Sequence, residues 1–149
     1  TLLSPLRRQR QLCISHSMYS TGRGVELNEG KAFEWYRKSA ENGCALAQYN
    51  LGVIYYRGGL VAQDFGEALK WYQLAARQND PEAQYNLGLM YYRGQGVAKD
   101  WVTAYQWMLL AASNGIINAE LVLKDINADL SPDEIVIVEE KAMEIRNQR

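Results

Sequence analysis

The hexapeptide Ala-Gln-Tyr-Asn-Leu-Gly fills residues 47–52 and returns at residues 83–88, each time followed by two residues and then Tyr-Tyr-Arg-Gly. The two copies start 36 residues apart. Laid over one another, 47–82 and 83–118 also share Val61/Val97, Ala62/Ala98, Asp64/Asp100, Ala68/Ala104, Trp71/Trp107 and the pairs Ala75-Ala76/Ala111-Ala112. Identity spread over the whole window, rather than gathered in one motif, marks a structural unit repeated in tandem.

One period earlier the same unit is present but worn at its front. Tyr19, Gly22, Val25, Asn28, Ala32, Trp35, Tyr36, Ala40 and Gly43 fall at the slots of Tyr55, Gly58, Val61, Asp64, Ala68, Trp71, Tyr72, Ala76 and Asn79. One period later Ala119, Leu123 and Ile126 take the slots of Ala83, Leu87 and Met90, and the pattern stops. The chain therefore reads as a flank at 1–10, a repeat domain at 11–130 (units 11–46, 47–82 and 83–118, and a partial unit 119–130) and a closing segment at 131–149. Erosion at both ends is what stacking predicts, because an outer unit meets water on one side.

Each unit reads as two helices. Ala47, Leu51, Ile54 and Tyr55 share one face of the first. Gly58 and Gly59, and later Gly94 and Gly96, supply the positive φ of its exit. Asn28, Asp64 and Asp100 stand where a short side chain caps the second helix. In that helix Ala68, Trp71, Tyr72 and Ala75 form the buried stripe, while Glu67, Lys70 and Gln73 face water. Gly43, Asn79 and Gly115 close it, and Pro81 opens the next helix at its first turn. Gly52 and Gly88 sit mid-helix, at a cost of about 1 kcal/mol against alanine, so a second backbone is expected to cross there. Ser131-Pro132-Asp133-Glu134 starts a closing helix that continues through Ile135, Val138, Ala142 and Ile145. The fold class expected is all-α: an α/α superhelix, or solenoid, of antiparallel helix pairs, with about three and a half 36-residue repeats and a C-terminal closing helix.

Composition bounds the function. A formal net charge of −1 over 149 residues offers no general field for nucleic acid or an acidic membrane. Arg7, Arg8 and Arg10 are read as a solvated flank. No apolar run reaches the ~20 residues of a membrane span, and the opening stretch has no charged region followed by an apolar one, so neither a signal peptide nor a membrane span is expected. The compartment stays open, with the cytoplasm as the default reading. No nucleophile elbow, zinc-protease motif or phosphate loop is present, and the chain has one histidine, His16. No catalytic residue, no metal site and no cofactor are expected.

With a unit of the form A-x-x-x-L-G-x-x-Y-x-x-G-x-G-V-x-x-D-x-x-x-A-x-x-W-x-x-x-A-A, the chain resembles Sel-1-like repeat proteins, relatives of the tetratricopeptide repeats, over roughly residues 11–130. The unit at 83–118 follows the pattern closely, and the unit at 47–82 departs at Leu60. The first unit departs further: Ser15 stands for the leucine and His16 for the glycine, so its opening helix is expected to be shifted or frayed. The resemblance implies a right-handed superhelix and a non-enzymatic adaptor that holds proteins together. It also implies a less favoured alternative, a hydrolase of the β-lactamase-like type described for disulfide-rich relatives. Those relatives carry a cysteine pair in every unit, whereas this chain has only Cys13 and Cys44. The two cysteines stand at neighbouring ends of one helix hairpin. Two free thiols are the preferred reading, and a bridge stays open.

A second apolar stripe runs along each first helix: Tyr49, Val53 and Tyr56, repeated as Tyr85, Leu89 and Tyr92. Helix pairs stacked in this way line their concave face with the first helices. The stripes, with Asn50 and Asn86 for a partner's backbone and Arg57 and Arg93 at the edge, then form a tyrosine-lined groove for a peptide or protein segment. The bland reading is that the tyrosines pack on neighbouring units and the asparagines only meet water. A protein partner, no nucleic acid, and a monomer or weak homo-oligomer complete the expectation.

Overall fold

The computed structural model describes residues 29–147 of the chain. Asn28, Ser15, His16, Cys13 and the early arginines lie outside the described residues, and with them the expectations for the front of the first unit. Among the described residues there are seven α-helices and no strand: α1 (Glu29–Glu41), α2 (Ala45–Arg57), α3 (Phe65–Arg77), α4 (Pro81–Arg93), α5 (Trp101–Ser113), α6 (Ile117–Asp129) and α7 (Pro132–Asn147). They fall into two compact units, one ending at Asp80 and the other starting at Pro81.

The first unit is built on α2, which packs between α1 and α3. Its core holds Ala40, Cys44, Ala47, Leu51 and Trp71, with Phe33, Tyr36 and Tyr55 half-buried around it. The exit of α2 needs the left-handed region, met by Gly58 at φ 72°, whose N–H donates to the Ile54 carbonyl. Six residues on, the Asp64 N–H donates to the Tyr55 carbonyl at 2.9 Å, which ties the head of α3 to the tail of α2. The Asp64 carboxylate then accepts from the Glu67 N–H and caps α3. Asn79 ends that helix at φ 64°, in the slot where Gly43 and Gly115 stand. Asparagine is one of the few side chains that tolerate this conformation.

The second unit repeats the arrangement. The Asp100 N–H donates to the Tyr91 carbonyl at 3.0 Å, and its carboxylate caps α5 through the Thr103 N–H and hydroxyl. Here α5 is the central helix, packed by α4, α6 and α7. The core joins Ala104, Tyr105, Met108 and Ala111 of α5 to Ala119 and Ile126 of α6 and to Val138 of α7. Ser131 and Glu134 form the reciprocal cap of α7, with the Ser131 N–H and hydroxyl donating to the Glu134 carboxylate.

The mid-helix glycines mark close approaches, but of side chains rather than the expected second backbone; only at Gly88 is a backbone atom among the nearest, the Ala104 carbonyl oxygen at 3.3 Å from the place of a Cβ. A Cβ on Gly52 would lie 2.6 Å from the Tyr72 ring, and one on Gly88 would lie 2.9 Å from the end of Met108. Two side chains are placed differently from their expected solvent positions, since Glu67 and Gln73 are half-buried. Glu67 is drawn in because its carboxylate accepts from the Trp71 indole N–H at 3.2 Å. The cysteine reading also needs correction. Cys44 is buried at the head of α2 and is disulfide-bonded, so it is not a free thiol.

Candidate protein-binding surface

On α2 none of the five expected contact residues is fully buried. Tyr49 is half-buried, its ring centroid 6.0 Å from that of Tyr72 on α3. Tyr56 is also half-buried and leans on Phe65 at 5.2 Å. Both rings thus pack on the partner helix and stay partly exposed. Val53 lies between them along the helix and is half-buried; Arg57 is exposed. The Asn50 amide donates to the Leu46 carbonyl one turn back, at 2.9 Å.

Beneath this stripe Tyr72 is buried under Gly52. Burial raises its phenol pKa well above the ordinary value, and the neighbouring Tyr49 and Tyr56 hydroxyls raise it further. Tyr72 is therefore a neutral packing residue at any physiological pH.

On α4, Tyr85, Leu89 and Tyr92 are half-buried against the core of the second unit. Asn86 is half-buried and Arg93 exposed. The Tyr92 hydroxyl donates to Asp129 at the end of α6, at 3.4 Å. Burial and then the Asp129 charge raise its pKa. Lys99 places its ammonium 5.7 Å from the Tyr92 ring and 5.0 Å from the Trp101 ring. A shallow cleft of about 380 Å³ lies beside it, lined by Lys99, Asp100, Trp101, Val102 and Glu134. Its two carboxylates are already committed. Burial works to raise the pKa of Asp100, but hydrogen bonds from Thr103 outweigh it and hold the group below the usual range. Hydrogen bonds from Ser131 lower that of Glu134. These are helix caps rather than poised acids or bases, and no metal-binding group of side chains occurs among the described residues. No described helix is long and apolar enough to cross a membrane.

Sequence reasoning assigned no role to Gln48 and Gln84, although both lie inside the repeated hexapeptide. Gln48 is buried; its amide donates to the Ala40 carbonyl at 3.1 Å and accepts from Gln78 at 2.7 Å, joining all three helices of the first unit. Gln84 is buried likewise and accepts from Asn114 at 2.8 Å. Residues 78 and 114 are one period apart, so recurrence of a polar pair at that spacing was the signal available. Lys99 and Asp129 carried no such signal, because neither repeats.

A family model, the Sel1 repeat, matches residues 9–44, 45–80 and 81–116, the same 36-residue period framed two residues earlier. Over 39 residues the chain is 51% identical to a sel1-like repeat-containing protein of Acanthamoeba polyphaga mimivirus, a stretch covering 26% of this chain and 7% of that one. Among solved structures, a Sel1 repeat protein from Oxalobacter formigenes superposes with a TM-score of 0.71 and 38% identity, over 74% of this chain and 32% of that one. A protective antigen of uropathogenic Escherichia coli displaying an SLR fold gives 0.68 and 36%, over 74% and 24%. Cysteine rich protein B of Helicobacter pylori gives 0.67 and 26%, over 79% and 91%. The chain thus spans a third or less of the first two structures and most of the third. The fold is all-α, of the α/α superhelix class of these structures.

Proposed function

The chain belongs to the Sel1 repeat family, whose members are generally non-enzymatic modules that join proteins, and from that premise we propose that it captures partner protein segments on the tyrosine stripe of α2 in one unit and on that of α4 in the other. The supporting observation is the recurrence, one period apart, of half-exposed rings steadied by packing: Tyr49 and Tyr56 in one unit, Tyr85 and Tyr92 in the other. A ring already fixed loses little freedom when a ligand covers its remaining face, so it suits an anchor. Val53 and Leu89 extend the apolar contact, Asn50 and Asn86 offer amides, and Arg57 and Arg93 stand at the margin. The hydrolase alternative has no observation in its favour.

The test is a displayed random-peptide library selected on the wild-type protein. Binders so obtained are expected to lose at least about tenfold in affinity on the Tyr56→Ala/Tyr92→Ala double variant, with helicity by circular dichroism unchanged. Undiminished binding to a folded double variant would overturn the stripe assignment.

A further inference from the structure

In α2 the slots of Tyr49, Gly52 and Tyr56 border the unit's own second helix, α3, through Tyr72 and Phe65. In α4 the matching Gly88 borders α5 through Met108 and the Ala104 carbonyl. By register α6 is also a first helix: Ala119 and Ile126, at the slots of Ala83 and Met90, are buried in the core with α5. Its slots for Tyr85, Gly88 and Tyr92 hold Leu121, Lys124 and Ala128, and all three are exposed. Ile117, one turn before Leu121, is 78% exposed and Leu121 58%. The helix that follows does not cover them, because α7 packs along α5 and buries Val138 there. The face that its two counterparts turn to a partner helix is therefore open on α6, with Ile117 and Leu121 exposed one turn apart on it.

We infer that this open face of α6 seats a basic amphipathic helix from a partner protein. That the occupant is a helix follows from the repeat: the same slots of α2 and α4 lie against the helix that follows each. Lys124 in the glycine slot keeps the new backbone further out, so side chains rather than backbones meet there. That the occupant is basic follows from charge. Along α6 there are three acidic side chains, Glu120, Asp125 and Asp129, against the single basic Lys124, and Glu120 and Asp125 flank Leu121. A second copy of this face would set carboxylate against carboxylate, whereas lysines or arginines beside an apolar stripe complement it.

The probe is a fluorescent helical peptide of alternating leucine and lysine faces, as long as α6, compared with its leucine–glutamate counterpart. The basic helix is expected to bind at least about tenfold more tightly than the acidic one. Leu121→Asp or Ile117→Asp is expected to remove that binding, and Tyr56→Ala/Tyr92→Ala to leave it unchanged, which separates this face from the tyrosine stripes. Should an aspartate variant unfold, Glu120→Gln/Asp125→Asn serves in its place and is expected to weaken the basic helix and flatten its salt dependence. Equal binding of the two helices, normal binding to a folded Leu121→Asp protein, or a wild-type dimer that Leu121→Asp dissolves would each overturn the inference.

Discussion

Gly52 and Gly88 hold the same slot, yet what they face differs in stiffness. Opposite Gly52 stands the buried Tyr72 ring, with two ring atoms inside 3.0 Å of the place an alanine methyl would take; opposite Gly88 the nearest atom is the terminal methyl of the unbranched, flexible Met108 side chain. Alanine gains about 1 kcal/mol of helix propensity at either site. At 52 an aromatic ring locked in a core cannot retreat, so Gly52→Ala is expected to destabilise by about 2 kcal/mol net. Gly88→Ala is expected to stay within about 1 kcal/mol, the thioether swinging aside. Urea denaturation of both variants checks the difference, and equal losses would mean that the slot rather than its neighbour sets the cost. That a close approach occurs at these glycines, and the left-handed Asn79, were legible in the sequence because the backbone rule they obey is local; that the approaching group at Gly52 is a ring rather than a second backbone was not. Gln48 was not. Its partners are a carbonyl eight residues back and an amide thirty residues on, and no local rule connects them.

At the scale of the helix, the caps were readable from type and position: Asp64 and Asp100 before their helices, Ser131 with Glu134 at the last one. The Ile135–Val138 run has strand propensity, yet no second segment offers it a partner strand, and it lies within α7. The Asp100 cap also has a pH signature. The fold holds its carboxyl below the ordinary aspartate value, so its contribution is complete above about pH 4 and is lost as pH falls through the lowered folded value. The stability advantage of wild type over Asp100→Ala is expected to be about 1 kcal/mol at neutral pH and to shrink on acidification below about pH 4. Thermal melts of the pair across that range measure it, and an advantage that widened in acid would exclude the assignment. What sequence did not convey was the docking of α7. Helical spacing says which residues share a face but not which helix that face meets, and α7 chose α5 over its neighbour in sequence.

At the scale of the molecule the period itself carried the fold, because each unit's contacts are repeated by the next at a fixed interval. The binding stripes are less legible for the same reason: a tyrosine that packs on its partner helix and one that waits for a ligand are written with the same letter in the same slot. Tyr49 and Tyr56 do the first with part of their surface, and the proposal concerns the part that stays exposed.

The claim beneath all of this is that the repeated residues are a self-compatible packing code. It is tested most directly by inserting a second copy of residues 81–116 between Ile116 and Ile117 and following urea denaturation by circular dichroism. The inserted helices meet α5 and α6 through slots already used there, so one cooperative transition is predicted, with a larger helical signal and a higher midpoint. A lower midpoint, or a separate second transition, would contradict it.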